Sequence, residues 1–225
     1  YSSYTSAWFF TVATGDTTAP PVPTLLSPGN WKYISNGATL DWSDVSDPSG
    51  VTYQLRLYNS SWSLLQEKTG LTSSAYAVNS FGSLTDGTYF WKVRAVDGAG
   101  NASGWTSWWA FKLDNTLPPV PSLVSPANWR KINSSYKLDW SDVSDTSGVT
   151  YQLRLYNSSW SLLQEKTGLT TSTYTVSSFG SLSDGTYYWK VRAVDGAGNA
   201  SVWTTSWAFK LDNTLPPVPS LVSPA

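Results

Sequence analysis

The chain contains no cysteine, no histidine and no methionine. Without the first two, thiol nucleophiles, imidazole general bases and soft-metal sites are excluded. Without methionine, Tyr1 is not expected to be a translation start and is expected to follow processing or truncation. Charge is scarce as well: charged residues make up 13 % of the 225, and 14 basic side chains nearly cancel 15 acidic ones. No basic field is available for nucleic acid, and no polyanionic tail is present. No apolar run approaches the roughly 18 residues that a membrane helix requires. What the sequence does have is aromatic and turn-forming residues, with 14 Trp, 13 Tyr, 13 Pro and 16 Gly. That mixture suits twisted β-strands joined by tight turns, and no helix beyond a single turn is expected.

Self-comparison organises the rest. Pro20-Pro21-Val22-Pro23 returns as Pro118-Pro119-Val120-Pro121 and again as Pro216-Pro217-Val218-Pro219, a period of 98 (118 − 20 = 216 − 118). Residues 20–117 and 118–215 align without a gap and are roughly 80 % identical, the signature of a repeat array. Residues 216–225 open a third copy. Residues 5–12 match the closing strands at 106–113 and 204–211, and Asp16 stands where Asp114 and Asp212 stand. The expected organisation is therefore a last strand and linker over 1–19, whole repeats at 20–117 and 118–215, and a first strand at 216–225. The array is expected to continue at both ends.

Each repeat reads as seven short strands separated by turn signals. In the first copy they fall at 21–27, 39–45, Val51–Asn59, from about Trp62, at 75–78, 88–97 and 106–113. The third alternates Val51, Tyr53, Leu55 and Leu57 on one face; the sixth alternates Tyr89, Trp91, Val93 and Ala95 inward against Phe90, Lys92 and Arg94 outward. Prolines at 20, 21 and 23 suit an edge strand. The last strand checks the pattern. Its inward positions, Trp8, Phe10, Val12 and then Trp109, Phe111, Leu113 and Trp207, Phe209, Leu211, are all large and apolar. Its outward positions drift: Ala7, Phe9, Thr11; Trp108, Ala110, Lys112; Ser206, Ala208, Lys210. One buried face produces that asymmetry.

Three stretches carry a family resemblance: Leu40-Asp41-Trp42 on the second strand, Val51–Leu57 on the third, and Gly87-Thr88-Tyr89-Phe90-Trp91-Lys92-Val93-Arg94-Ala95-Val96-Asp97 on the sixth, all repeated in the second copy. The repeats resemble the fibronectin type III domains strung along bacterial surface proteins. The resemblance implies an all-β fold of tandem seven-stranded, immunoglobulin-like sandwiches in a linear rod. It also implies that Trp42 and Trp140 are core tryptophans and that Tyr89 and Tyr187 make a tyrosine corner. Burial is expected for Trp42, Tyr89, Trp91 and Trp109, and for Trp140, Tyr187, Trp189 and Trp207.

No catalytic residues are expected. Asp41, Asp44, Asp47, Glu67, Asp86, Asp97 and Asp114 recur as Asp139, Asp142, Asp145, Glu165, Asp184, Asp195 and Asp212, and a site duplicated in every repeat would be odd for an enzyme. Turn formation and solvation account for these acids. No cofactor is required by the sequence, and the one cation it raises is Ca²⁺ between domains. In the family's topology the loops after the second and sixth strands lie at the pole facing the preceding domain. Asp142, Asp145 and Asp195 would there approach Asp114 and Asn115, while Asp44, Asp47 and Asp97 would approach Asp16. Converging carboxylates and carbonyls are what a hard cation takes. Yet no dense Asp-x-Asp-x-Asp run is present, and Asp-Gly and Asp-Pro are ordinary turn pairs.

Trp31, Trp62, Trp105 and Trp108, with Trp129, Trp160 and Trp203 in the second copy, raise glycan stacking; core capping and packing between neighbours explain the same rings. Asn59, Asn101, Asn133, Asn157 and Asn199 head sequons, and Asn-Ser is also common in turns. The function these observations favour is structural: a stalk, filament or fibre outside the cell, whose partners are neighbouring repeats of the same or identical chains. Short proline-rich linkers at 114–121 and 212–219 would hold the spacing. Two alternatives stand beside it, an adhesin whose repeats bind a glycan or protein, and accessory modules of a polysaccharide-degrading enzyme.

Overall fold

The computed structural model describes residues 15–220, so the expectations for Trp8, Phe10 and Val12 and for the third first strand lie partly or wholly outside the described residues. The chain divides into two compact units, the first running to Leu113 and the second from Asp114, with Tyr33–Ser35 grouped with the second. Each is an all-β sandwich of a three-stranded and a five-stranded sheet. In the first unit β1 (Leu25–Ser27), β3 (Thr39–Trp42) and β6 (Ala75–Ala77) form the small sheet, in the order β1-β3-β6. The large sheet is β2-β8-β7-β4-β5, where β2 is Lys32–Ile34, β4 Val51–Asn59, β5 Leu64–Leu71, β7 Gly87–Asp97 and β8 Trp109–Leu113. The second unit repeats this with β9 (Leu123–Ser125), β10 (Arg130–Ile132), β11 (Lys137–Trp140), β12 (Val149–Tyr156), β13 (Leu162–Leu169), β14 (Thr173–Thr175), β15 (Gly185–Asp195) and β16 (Trp207–Leu211). Helix among the described residues is confined to single 3-10 turns at Val78–Phe81 and Val176–Phe179.

Alternation fills the space between the sheets. Tyr53, Leu55 and Leu57 of β4 and Tyr89, Trp91, Val93 and Ala95 of β7 are buried, facing Leu40 and Trp42 of β3. Trp42 meets Trp91 at 6.3 Å and Tyr53 edge-on at 5.5 Å; Trp140 meets Trp189 and Tyr151 at 6.3 and 5.6 Å in the same way. Burying such rings is the main favourable term in a sandwich of this size. Tyr89 and Tyr187 each donate a hydroxyl 2.7 Å to a carbonyl four residues upstream, Thr85 and Ser183. Trp109 and Trp207, expected to be buried with them, are half-buried.

The strand inventory differs from the sequence reading in several places, and three of them have a local reason in the structure. An eighth short strand (β2, β10) joins the large sheet beside the last strand, and β10 pairs with β16 in parallel register, Ile132 against Leu211. The first strand shortens from 21–27 to Leu25–Ser27, because the prolines before it have no N–H to donate. The last strand begins at Trp109 rather than at 106. Ahead of it, Thr106 and Ser103 tie themselves to β7 by backbone and hydroxyl together: Thr106 N to Val93 O at 2.8 Å, Val93 N to Thr106 Oγ1 at 3.1 Å, and Ala95 N to Ser103 Oγ at 3.0 Å. Side-chain oxygens there replace strand carbonyls, and both residues are buried.

Candidate functional site

Two features stand out from the core: a cluster of three aspartates in each unit, and an aromatic outer face on each large sheet. In the second unit Asp114, Asp145 and Asp195 each place a carboxylate oxygen within 4.8 Å of the other two, and Asp16, Asp47 and Asp97 do the same in the first unit. The three come from separate parts of a unit. Asp195 ends β15, Asp145 lies in the loop between β11 and β12, and Asp114 opens the unit.

Turn chemistry holds two of the three. Asp195 Oδ1 accepts from Ala197 N at 2.9 Å and Asn199 N at 2.8 Å, and its Oδ2 accepts from Asn199 Nδ2 at 2.8 Å. The Asn199 amide also reaches the Asp114 carbonyl at 2.8 Å, clamping the start of the unit to the turn after β15. Asp145 Oδ1 accepts from Ser147 N and Oγ at 2.9 and 2.8 Å. The Ser147 hydroxyl also accepts from Gly196 N at 3.0 Å, so the two loops are cross-braced. A Cβ on Gly196 would sit 2.1 Å from the Ser147 carbonyl oxygen, so only glycine permits this approach.

Asp114 is different. Its Oδ1 accepts from Thr116 N at 3.1 Å, but its Oδ2 is buried and has no hydrogen-bond partner. The residue as a whole is 5 % exposed. None of the three carboxylates takes part in an ion pair among the described residues. Asp212, the counterpart of Asp114 one period later, is ion-paired with Lys131, and the position equivalent to Lys131 in the first copy is Tyr33. Lys131 and Thr214 hold the Asp212 carboxyl well below the usual carboxylate range. In the first unit burial works against the charged form of Asp97, but hydrogen bonds from the Asn101 side chain and the 99–101 backbone outweigh it, keeping that carboxyl below its ordinary value.

One expected aspartate is absent from each cluster. Asp142 and Asp44 are exposed and outside the clusters, because the loop alternates: Val143, whose N–H bonds the Tyr151 hydroxyl at 3.0 Å, and Asp145 are partly buried, while Asp142 is exposed. Asn213, one period after Asn115, accepts from Ser134 N and donates to Asp184. Asn199 and Asn101, read from sequence as sequon heads, are the organisers of the turn that carries Asp195 or Asp97. The Asp-x-x-x-Asn spacing from 195 to 199 is the signal that would have found them.

The outer face of the large sheet is more aromatic than alternation alone predicts. Trp62 stacks on Phe90 at 4.1 Å with the planes 12° apart, and Trp31 and Trp108 meet Phe90 and Trp62 edge-on. Ala110 and Ala208, expected outward, are buried. Ala110 is in register with Phe90 and so lies under this aromatic cover. Trp105 is enclosed by cations, with Arg56, Arg94 and Lys92 at 4.6, 4.7 and 4.9 Å from its ring; Trp203 has Arg154, Arg192 and Lys190 around it. Trp31 and Trp62 remain about half exposed at 53 % and 52 %, and both hold a left-handed backbone with φ of 64° and 62°. Trp31 and Trp108 stand near right angles to the stacked Trp62–Phe90 pair, so the exposed rings do not make a flat platform. Asn59 and Asn157 each accept two backbone N–H bonds within the turn that carries Trp62 or Trp160, at 2.9–3.0 Å.

No protein-family model matches the chain. Among curated proteins it is 32 % identical over 210 residues to chitinase A1 of Niallia circulans, and 29 % identical over 220 residues to exoglucanase B of Cellulomonas fimi. Those alignments cover 89 % and 92 % of this chain but only 27 % and 18 % of the two relatives. Among solved structures it is similar to the fibronectin(III)-like modules of Clostridium thermocellum CbhA, with a TM-score of 0.51 at 15 % identity over 84 % of this chain and 92 % of that one. It is similar also to the FN1–FN3 domains of chicken CNTN1, with a TM-score of 0.61 at 15 % identity over 86 % of this chain and 68 % of that one. Both units have the fibronectin type III-like fold, and the chain resembles bacterial tandem repeats of that kind.

Proposed function

We propose that the chain is a run of non-catalytic spacer modules in a larger extracellular protein, with repeat limits at 20–117 and 118–215. The observation that carries this reading is the match to chitinase A1, which takes in 89 % of this chain and leaves most of the relative outside it. A tandem piece occupying a minor share of a polysaccharide-degrading enzyme is what an accessory module is. The fold agrees with such a role, since its interior is a closed aromatic core and its loops are braced by their own turn residues. The second reading, a stalk or filament at a cell surface, is favoured by the ungapped period of 98 between near-identical copies, because equal repeats joined by equal linkers generate a regular array. Both readings need units held apart rather than folded back on one another. Small-angle scattering of the 225-residue chain tests this. The 11-residue β7 sets a unit length of roughly 36 Å at about 3.3 Å per residue, so an end-to-end pair extends to about 70–80 Å. A radius of gyration near 17 Å, roughly that of a compact globule of this length, would reject the spacer in either form. Binding of the chain to insoluble chitin or cellulose would move the reading to an adhesin.

A further inference from the structure

We propose that Asp114, Asp145 and Asp195 bind one Ca²⁺ ion, in an arrangement that Asp16, Asp47 and Asp97 repeat in the first unit with Asp16 exposed. Three carboxylates converge with no lysine or arginine paired to them among the described residues, and two of the three are buried. The decisive group is Asp114 Oδ2, which is buried, unpartnered and part of a residue 5 % exposed. A lone-pair donor left without hydrogen or cation in a buried place is costly, and like charges this close disfavour one another. Either a proton or a cation must resolve the arrangement. Both oxygens of Asp195 already accept N–H bonds, from Ala197 N, Asn199 N and Asn199 Nδ2, contacts that suit a bare carboxylate and point to a cation.

The spacing suits calcium. Oxygens bound to one Ca²⁺ at about 2.3–2.6 Å can be up to about 5 Å apart and in an irregular arrangement, whereas Mg²⁺ demands a near-ideal octahedron that three loop carboxylates do not preset. The carboxylate oxygens lie within 4.8 Å of one another on loops already braced through Ser147 and Asn199. Asp145 Oδ1 and Asp195 Oδ1 are held by N–H donors, which fixes the orientation of both carboxylates. Beside the first-unit cluster a shallow open depression of about 440 Å³, lined by Asp16, Thr18, Asp47, Pro48 and Ser49, gives an ion and its waters a way in. Water would complete the six to eight ligands calcium takes. The ion would fasten Asp114, the first residue of its unit, to two loops of the sandwich remote in sequence. This inference stands apart from the spacer reading, since the site lies within each unit.

The test is calcium titration of the 225-residue chain by isothermal and scanning calorimetry, with Mg²⁺ as the competing probe. Saturable binding is expected with dissociation constants on the order of 10⁻⁴–10⁻³ M, the range of extracellular modules, together with a rise in melting temperature that EDTA reverses. Asp114→Asn and Asp145→Asn should each weaken binding at the second-unit cluster about tenfold or more, as loss of one carboxylate ligand predicts. Without calcium the same variants should melt no lower than the parent, because repulsion is relieved. Asp142→Asn, outside the cluster, should leave the calcium response unchanged. The proposal is overturned if 10 mM calcium gives neither heat nor a shift, if magnesium does as well as calcium, or if Asp114→Asn and Asp145→Asn respond as the parent does. Wild-type titration decides the matter even if a variant fails to fold.

Discussion

Replacing Trp140 by alanine is expected to uncouple the melting of the two units. The ring is 1 % exposed and packs within the second core against Tyr151 and Trp189 at 5.6 and 6.3 Å. Truncating a fully buried tryptophan costs about 3–5 kcal/mol, combining lost burial with the cavity left behind. One term works the other way. The Trp140 Nε1 is buried without an acceptor, and an orphaned donor of this kind is unfavourable by about 1–3 kcal/mol. Its removal offsets part of the loss and puts the net effect near the lower end, about 3 kcal/mol. For a unit of this size each kcal/mol moves the midpoint by about 4–8 °C, so one transition should fall by about 12–24 °C. The other should stay, because Trp42 supplies the equivalent contacts in the first unit. Scanning calorimetry would show one endotherm splitting into two, and Trp42→Ala should split it with the units exchanged. Trp140→Phe keeps a ring and deletes the orphaned donor, so it should cost less than half as much. An alanine variant whose melting stays within a degree or two of the parent would refute the core assignment.

Tyr187→Phe should cost about 0.5–1.5 kcal/mol by removing the bond to the Ser183 carbonyl, while the ring stays stacked on Phe209; urea unfolding followed by tryptophan fluorescence would measure it. Gly196→Ala should destabilise the second unit by about 1–3 kcal/mol, since the new methyl would meet Ser147 backbone oxygen at 2.1 Å, and the same assay reads it. The Asp212 carboxyl is held below its unfolded value of about 3.9. Its contribution is therefore complete above that pH and lost as pH falls toward the folded value. Melting temperature should drop from pH 4 to pH 2 more steeply in the parent than in Lys131→Ala.

Where a strand is long and buried on one face, the sequence was enough to place it. Val51–Asn59 begins and ends where alternation put it, and Gly87–Asp97 begins one residue earlier than read. Strands β2 and β10 escaped because three residues carry no periodicity, and their place depends on a neighbour distant in the chain, parallel in the case of β10. The stretch from Thr106 read as strand because its pattern continues that of β8; hydroxyl-to-backbone bonds gave it a different path. In the aspartate cluster the sequence identified Asp114, Asp145 and Asp195 among five candidates. What it could not resolve was which way each loop residue turns. That depends on Val143 being drawn inward and Asn199 bridging two segments, neither visible without the packed loop.

The differences between the two copies show what each surface is for. Core geometry is the same in both: the Trp42–Trp91 and Trp140–Trp189 pairs each sit at 6.3 Å and 53°. The aspartates and their turn partners are the same too. The outer aromatic face is not. Trp108 in the first unit meets Tyr58 at 4.8 Å and Trp62 at 5.1 Å, whereas Ser206 stands in its place in the second, and Trp160 there packs with Tyr156 at 6.1 Å. Phe90 gives way to Tyr188 under an otherwise identical stack of 4.1 Å and 12°. A buried ring cannot change without a cavity or a clash. An outer ring can, provided its neighbours still cover the sheet. The variable outer face therefore serves each unit by shielding its own sheet. An element meant to make the same contact at every repeat would have to be built from what the copies share, and among polar groups the aspartate cluster with Asn101 or Asn199 meets that condition.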